Sequence, residues 1–87
     1  MSRTYSLFIA IEAARFLFGL RRNERESVSR FLDILADYPH LEDETTEQDT
    51  IGRTVQVKLL HRIKIVYWVD HADEAVKVLR IERLRLS

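Results

Sequence analysis

The last third of this sequence gathers basic residues, a carboxylate, a histidine and a tryptophan at spacings that can bring them together. Val55, Val57 and Leu59 alternate with Thr54, Gln56 and Lys58. Ile63, Ile65, Tyr67 and Val69 then alternate with Arg62, Lys64, Val66 and Trp68. A period of two sends successive side chains to opposite faces of a sheet. The apolar set is expected to pack on a core, which leaves Lys58, Arg62 and Lys64 on an open face. In a third strand, Leu79 and Ile81 are expected on the core side, with Val78, Arg80 and Glu82 on the open side. Cations on a sheet face without a helix over it can hold a polyanion. Glu82 or His61 beside them can transfer a proton.

Each of these residues also has a plainer reading. Cations on an alternating strand are commonly just solvated. His61 fits a tight turn, because His tolerates positive φ better than most residues. Glu82 can serve as the ion-pair partner of a neighbouring Arg. Trp68 can cover an apolar patch, contact a partner or stack on an aromatic ligand. Arg83 and Arg85 follow the third strand and can join either face or form a tail. Tyr67 belongs to the apolar set. His40 lies in a different loop from His71 and Asp73, and their spacing makes no metal-ligand set, so neither metal nor cofactor is expected.

The elements that position these residues follow from pattern. Tyr5 to Ile11 is rich in strand formers. Glu12 to Leu20 reads as a short helix with Ala13, Phe16, Leu17 and Leu20 on one stripe. After a break at Gly19–Asn23, a second helix runs to about Tyr38, with Val28, Phe31, Leu32 and Leu35 facing inward. Asn23 and Glu26 have capping-box spacing. Pro39 ends the helix, because proline lacks a donor and restricts the residue before it. His40 to Gly52 is polar and reads as a loop. Strands are expected at about 54–60, 62–69 and 75–83, with turns at Leu60–Arg62 and Asp70–Glu74. The order is β-α-α-β-β-β, an α+β fold with an antiparallel sheet and a helical hairpin packed on one face.

The 87 residues allow one domain, spanning 1–87, with one core. Apolar residues make up 46% of the chain, too many for a disordered one. No apolar run reaches the roughly 18 residues of a membrane span, and no signal-peptide pattern opens the chain. There is no cysteine, which excludes disulfides and thiolate metal sites and fits a cytoplasmic setting. Net charge is zero but unevenly placed. His40 to Thr50 carries Glu42, Asp43, Glu44, Glu47 and Asp49 without a Lys or Arg, whereas Ile51 to Ser87 has eight basic residues against four acidic. This excludes a uniformly basic nucleic-acid binder but leaves room for a local basic surface.

The element order, with Val55-Gln56-Val57-Lys58 and Arg62-Ile63-Lys64-Ile65-Val66-Tyr67-Trp68-Val69, resembles the RelE/ParE superfamily of bacterial toxins. Lys64 to Val69 matches the family's strand pattern of a basic residue, two apolar residues, Tyr, any residue and Val. Val76 to Arg85 matches its last strand and basic tail in outline. The resemblance implies a toxin of a type II toxin–antitoxin system, causing growth arrest and bound by a cognate antitoxin. In the RelE-like branch the activity is cleavage of mRNA on the ribosome. In the ParE-like branch the target is DNA gyrase, without catalysis. Lys58 falls at a strand position that is often basic, Lys64 where Arg is common, and Arg80, Arg83 and Arg85 in the basic stretch.

The chemistry of RNA cleavage suits these residue types. The 2′-OH can attack the adjacent phosphate if the chain is oriented, the phosphorane charge is stabilised and protons move. Lys58, Lys64 and Arg80 can supply charge and hydrogen bonds to phosphate oxygens. Glu82 or His61 can supply proton transfer, worth about 10²–10⁴-fold. Arg62, Arg83 and Arg85 can hold the RNA backbone, and Trp68 can stack an unpaired base.

Overall fold

The computed structural model describes residues 4–41, 46–48 and 50–85. The expected acidic loop falls partly on 42–45 and 49, outside the described residues.

The chain forms β1 (Ser6–Ile9), α1 (Ile11–Phe18), α2 (Arg22–Asp37), β2 (Thr46–Gln48), β3 (Thr54–Leu60), β4 (Ile63–Asp70) and β5 (Ala75–Arg83). The five strands make one sheet in the order β1-β5-β4-β3-β2. This is the expected α+β fold with two additions. β1 runs parallel to β5, because two helices intervene before the chain returns to the sheet. β2 is a three-residue edge strand inside the segment expected to be loop.

Both helices bury the expected stripes. Ala13, Leu17 and Leu20 join Val28, Leu32 and Leu35 over Ile63, Ile65, Tyr67, Val69, Val76, Val78 and Ile81. Phe16 and Phe31 pack at the margin of this core, and the Phe31 ring meets Tyr67 edge-on at 5.8 Å. α2 begins two residues earlier than the Asn23 cap predicts, with Arg21 at the cap position. Arg21 has extended backbone dihedrals, and its N–H donates to the Glu24 carboxylate at 3.3 Å. The reciprocal contact expected of Glu26 is thus made by Glu24, three residues after the cap.

Two face assignments need correction. Directly opposed residues share a face, and β3 pairs Gln56 with Tyr67, Val57 with Val66 and Lys58 with Ile65. Lys58 therefore stands on the helix side, and Val57 on the other. The open face carries a second apolar cluster of Val55, Val57 and Val66, flanked by Trp68 and Leu79. The second correction comes from an irregularity between β4 and β5. Tyr67 pairs with Val78 but Val66 pairs with Arg80, so Leu79 is an extra residue. Such a bulge shifts the alternation by one residue. Val76 and Val78 face the helices on one side of it and Ile81 on the other, while Leu79 turns to the open face.

Both tight turns between strands use positive φ. His61 has φ 57° and Glu74 φ 51°. His61 is the turn residue between β3 and β4.

Candidate nucleic-acid interface on the open sheet face

The open face places Lys64 and Arg80 beside each other, on β4 and β5. Lys64 is opposite Glu82 across these strands, and Arg80 is opposite Val66. The Lys64 ammonium lies 3.6 Å from the Glu82 carboxylate. It also donates at 2.9 Å to one carboxylate oxygen of Glu47 on β2. The other Glu47 oxygen accepts from the Arg80 guanidinium. Glu47 thus bridges both cations, one oxygen to each. The hydrogen bond from Lys64, with smaller help from Arg80, holds the Glu47 carboxyl below the usual carboxylate range.

Beside this bridge lies a shallow cavity of about 270 Å³. Val55, Val66 and Leu79 line it together with Arg53, Arg80 and Glu47. Trp68 stands on the same face, half-buried, with the Arg53 guanidinium 4.7 Å from its ring and the Lys77 ammonium 5.0 Å from it. Cations over an indole are attracted by its π-face. Lys77 is held in turn by Asp70 at 2.9 Å and Asp73 at 3.5 Å. The Asp70 hydrogen bond is the main cause of its raised pKa.

The sheet separates the residues expected to act together. Lys64, Arg80, Glu82 and Trp68 are on the open face. Lys58 is on the helix side, with its ammonium 5.5 Å from the Phe31 ring. Arg83 is also on the helix side, opposite the buried Ile63. Its guanidinium grips Glu24 with two hydrogen bonds, 2.9 and 3.1 Å, and ties the end of β5 to the start of α2. That pairing lowers the Glu24 pKa and raises that of Arg83. His61 lines a separate cavity with Asn23, Glu24 and Ser27. Arg62 and Arg85 are exposed at the same end of the sheet. The expectation of Lys58, Arg62 and Lys64 on one open face fails, because β3 presents Val55 and Val57 to that face instead.

Glu47, Arg53 and Lys77 were not legible as site residues. Glu47 lies in a polar stretch without strand alternation. Arg53 precedes the first clear strand residue. Lys77 falls on the core side if β5 alternates without a bulge. Among the described residues, no three His, Asp or Glu side chains converge as metal ligands. His40 and His71 nonetheless stack with ring centroids 5.0 Å apart, and the Tyr5 hydroxyl lies 3.1 Å from His71 Nδ1. No described helix is long and apolar enough to cross a membrane.

No protein-family model matches the sequence, and no curated protein matches it significantly. Solved structures do match its shape. The archaeal RelE–RelB complex from Pyrococcus horikoshii OT3 aligns with a TM-score of 0.78 at 19% identity, over 98% of this chain and 100% of the other. The isolated E. coli RelE toxin gives 0.75 at 18% identity, over 95% and 87%. The intact E. coli RelBE toxin–antitoxin complex gives 0.74 at 17%, over 94% and 99%. Over nearly its whole length, this chain has the fold of the RelE toxins.

Proposed function

We propose that this protein is the toxin of a type II toxin–antitoxin pair, that it acts in the cytoplasm, and that it cleaves mRNA on the ribosome. The observation that carries the toxin reading is the near-complete fold match to RelE proteins, two of them solved with an antitoxin. An antitoxin segment covering Trp68 and the open face is the partner that reading calls for. The cleavage reading rests on Lys64, Arg80 and Glu82 sharing one face next to an apolar-floored cavity. Lys64 and Arg80 hold the scissile phosphate and stabilise the charge it develops. Glu82 takes the 2′-OH proton as that oxygen attacks phosphorus. The bond from phosphorus to the 5′-oxygen breaks, and the leaving oxygen takes a proton from the now protonated Glu82 or from water. Trp68 stacks a base. Lys58, His61, Arg62, Arg83 and Arg85 line the other face and the end of the sheet, where they hold flanking RNA.

One observation favours a second reading, a non-catalytic toxin-fold binder such as a ParE-like gyrase inhibitor. Lys64, Arg80 and Lys77 are each paired with carboxylates, so much of the charge on that face is internally balanced. Induced expression separates the two. Growth arrest with cleavage of ribosome-bound mRNA supports the first, and arrest with gyrase inhibition and intact mRNA the second. Co-expression with the adjacent reading frame tests the partner. A complex that co-elutes on gel filtration is expected, and separate elution counts against it.

A further inference from the structure

We propose that Lys64 and Arg80 form a phosphodiester subsite that Glu47 occupies in the free protein, so that β2 is an intramolecular competitor which RNA must displace. The inference rests on the RNA-binding reading above and adds to it how the site is regulated.

The geometry is that of a carboxylate standing in for a phosphate. A phosphodiester offers two non-bridging oxygens to two cations, and Glu47 offers its two oxygens to Lys64 and Arg80 in the same way. A phosphodiester carries the same single negative charge over two oxygens as a carboxylate, so it can take the place of Glu47 on the same two charged donors. The adjoining cavity provides a place for the attached base. Its floor of Val55, Val66 and Leu79 is apolar, and Arg53 and Arg80 stand at its rim. Glu47 lines both the cavity and the cation pair, so one side chain closes the whole subsite.

The competitor is also weakly anchored. β2 has three residues, lies at the sheet edge and, among the described residues, pairs with β3 alone. Thr46, Glu47 and Gln48 oppose Gln56, Val55 and Thr54. A short edge strand costs little to release compared with an inner one. Glu82 does not share this role. Among the described residues it reaches Lys64 alone, at 3.6 Å, and it sits on β5, an inner strand of the sheet, opposite Lys64 on β4.

The test is binding of a fluorescent single-stranded RNA oligonucleotide by anisotropy at low salt, using full-length protein. Glu47→Gln keeps the shape and removes the charge. It is expected to bind about fivefold tighter or more, the usual scale of coupling between two sites. Adding Lys64→Ala to Glu47→Gln is expected to abolish the gain. Glu47→Thr, a good strand former, provides a second reading if the Gln variant folds poorly. Unchanged or weaker binding in both Glu47 variants, with Lys64→Ala and Arg80→Ala still impaired, overturns the competitor and leaves the RNA site standing. If no variant of Glu47, Lys64 or Arg80 alters RNA binding, the RNA reading of this face falls as well.

Discussion

Lys58 and Lys64 point away from each other through the sheet. Lys58 shares the helix side with Ile65, and Lys64 the open side with Leu59. Their contributions to RNA cleavage are therefore expected to be separable. Lys64→Ala removes a contact to the developing phosphate charge and is expected to lower the cleavage rate about 10²–10³-fold. Lys58→Ala is expected to cost much less. The double variant is expected to show the product of the two single effects, as independent sites do. Cleavage of ribosome-bound mRNA by folded variants measures this, and equal losses in the two single variants would contradict the face assignment.

Ile65 is fully buried between the helices and the sheet. Leu59, on the neighbouring strand, is 53% exposed on the other face. Ile65→Ala leaves a cavity in the main core and is expected to cost about 2–5 kcal/mol. Leu59→Ala is expected to stay within about 0.5 kcal/mol. Urea unfolding of the two variants gives the comparison, and a reversed order would place the core on the wrong face.

The clamp between Glu24 and Arg83 makes a prediction about pH. The Arg83 hydrogen bonds lower the Glu24 carboxyl pKa in the folded protein, with help from the Arg21 N–H. A depressed folded-state pKa contributes stability that is fully present above the unfolded value, roughly 4.3, and is lost as pH falls through the folded value. The wild-type protein is thus expected to be more stable than Glu24→Gln at neutral pH. The gap should narrow as pH drops below the ordinary carboxylate range. Urea midpoints measured across that range test it, and a gap that persists at about pH 3 would rule out this origin.

The helices and β3 to β5 were legible because their patterns are strong. Alternation from Ile63 to Val69 and the stripe Val28, Leu32, Leu35 each fit a single period. Facing was harder to read, for two physical reasons. The helices lie mainly over β1, β5 and β4, so β3 reaches past their cover. Its valines then bury themselves on the opposite face with Val66, beneath the stems of long polar side chains. Apolar-inward reasoning assigns such a strand to the wrong side. The bulge at Leu79 is the other reason. No Gly or Pro marks it, and it changes the phase of β5 halfway along. Arg80 and Glu82 were still placed on the correct face, because the expected phase matches the strand after the bulge. β2 has no apolar pattern, and it forms by adding to the edge of β3.

Gly52 is where the connection from β2 to β3 is held in shape. Its φ is +82°, a conformation that L side chains rarely adopt. Among the described residues space is not the obstacle, because an added Cβ would meet only the Gln48 side chain, at 3.9 Å. Gly52→Ala is therefore expected to act through backbone strain alone, at about 1–2 kcal/mol. For a domain of this size that lowers the melting temperature by roughly 4–8 °C per kcal/mol. Gly19 is the control. Its φ is −83°, and its added Cβ would make ordinary contacts at 3.6 Å. Gly19→Ala restricts the unfolded chain without straining the folded one, and is expected to be neutral or to stabilise by about 0.4–1 kcal/mol. Thermal melts of the two variants decide it. If Gly52→Ala melts with the wild type, the strained turn does not fix β2, and the hold of Glu47 on Lys64 and Arg80 must come from the ion pairs alone.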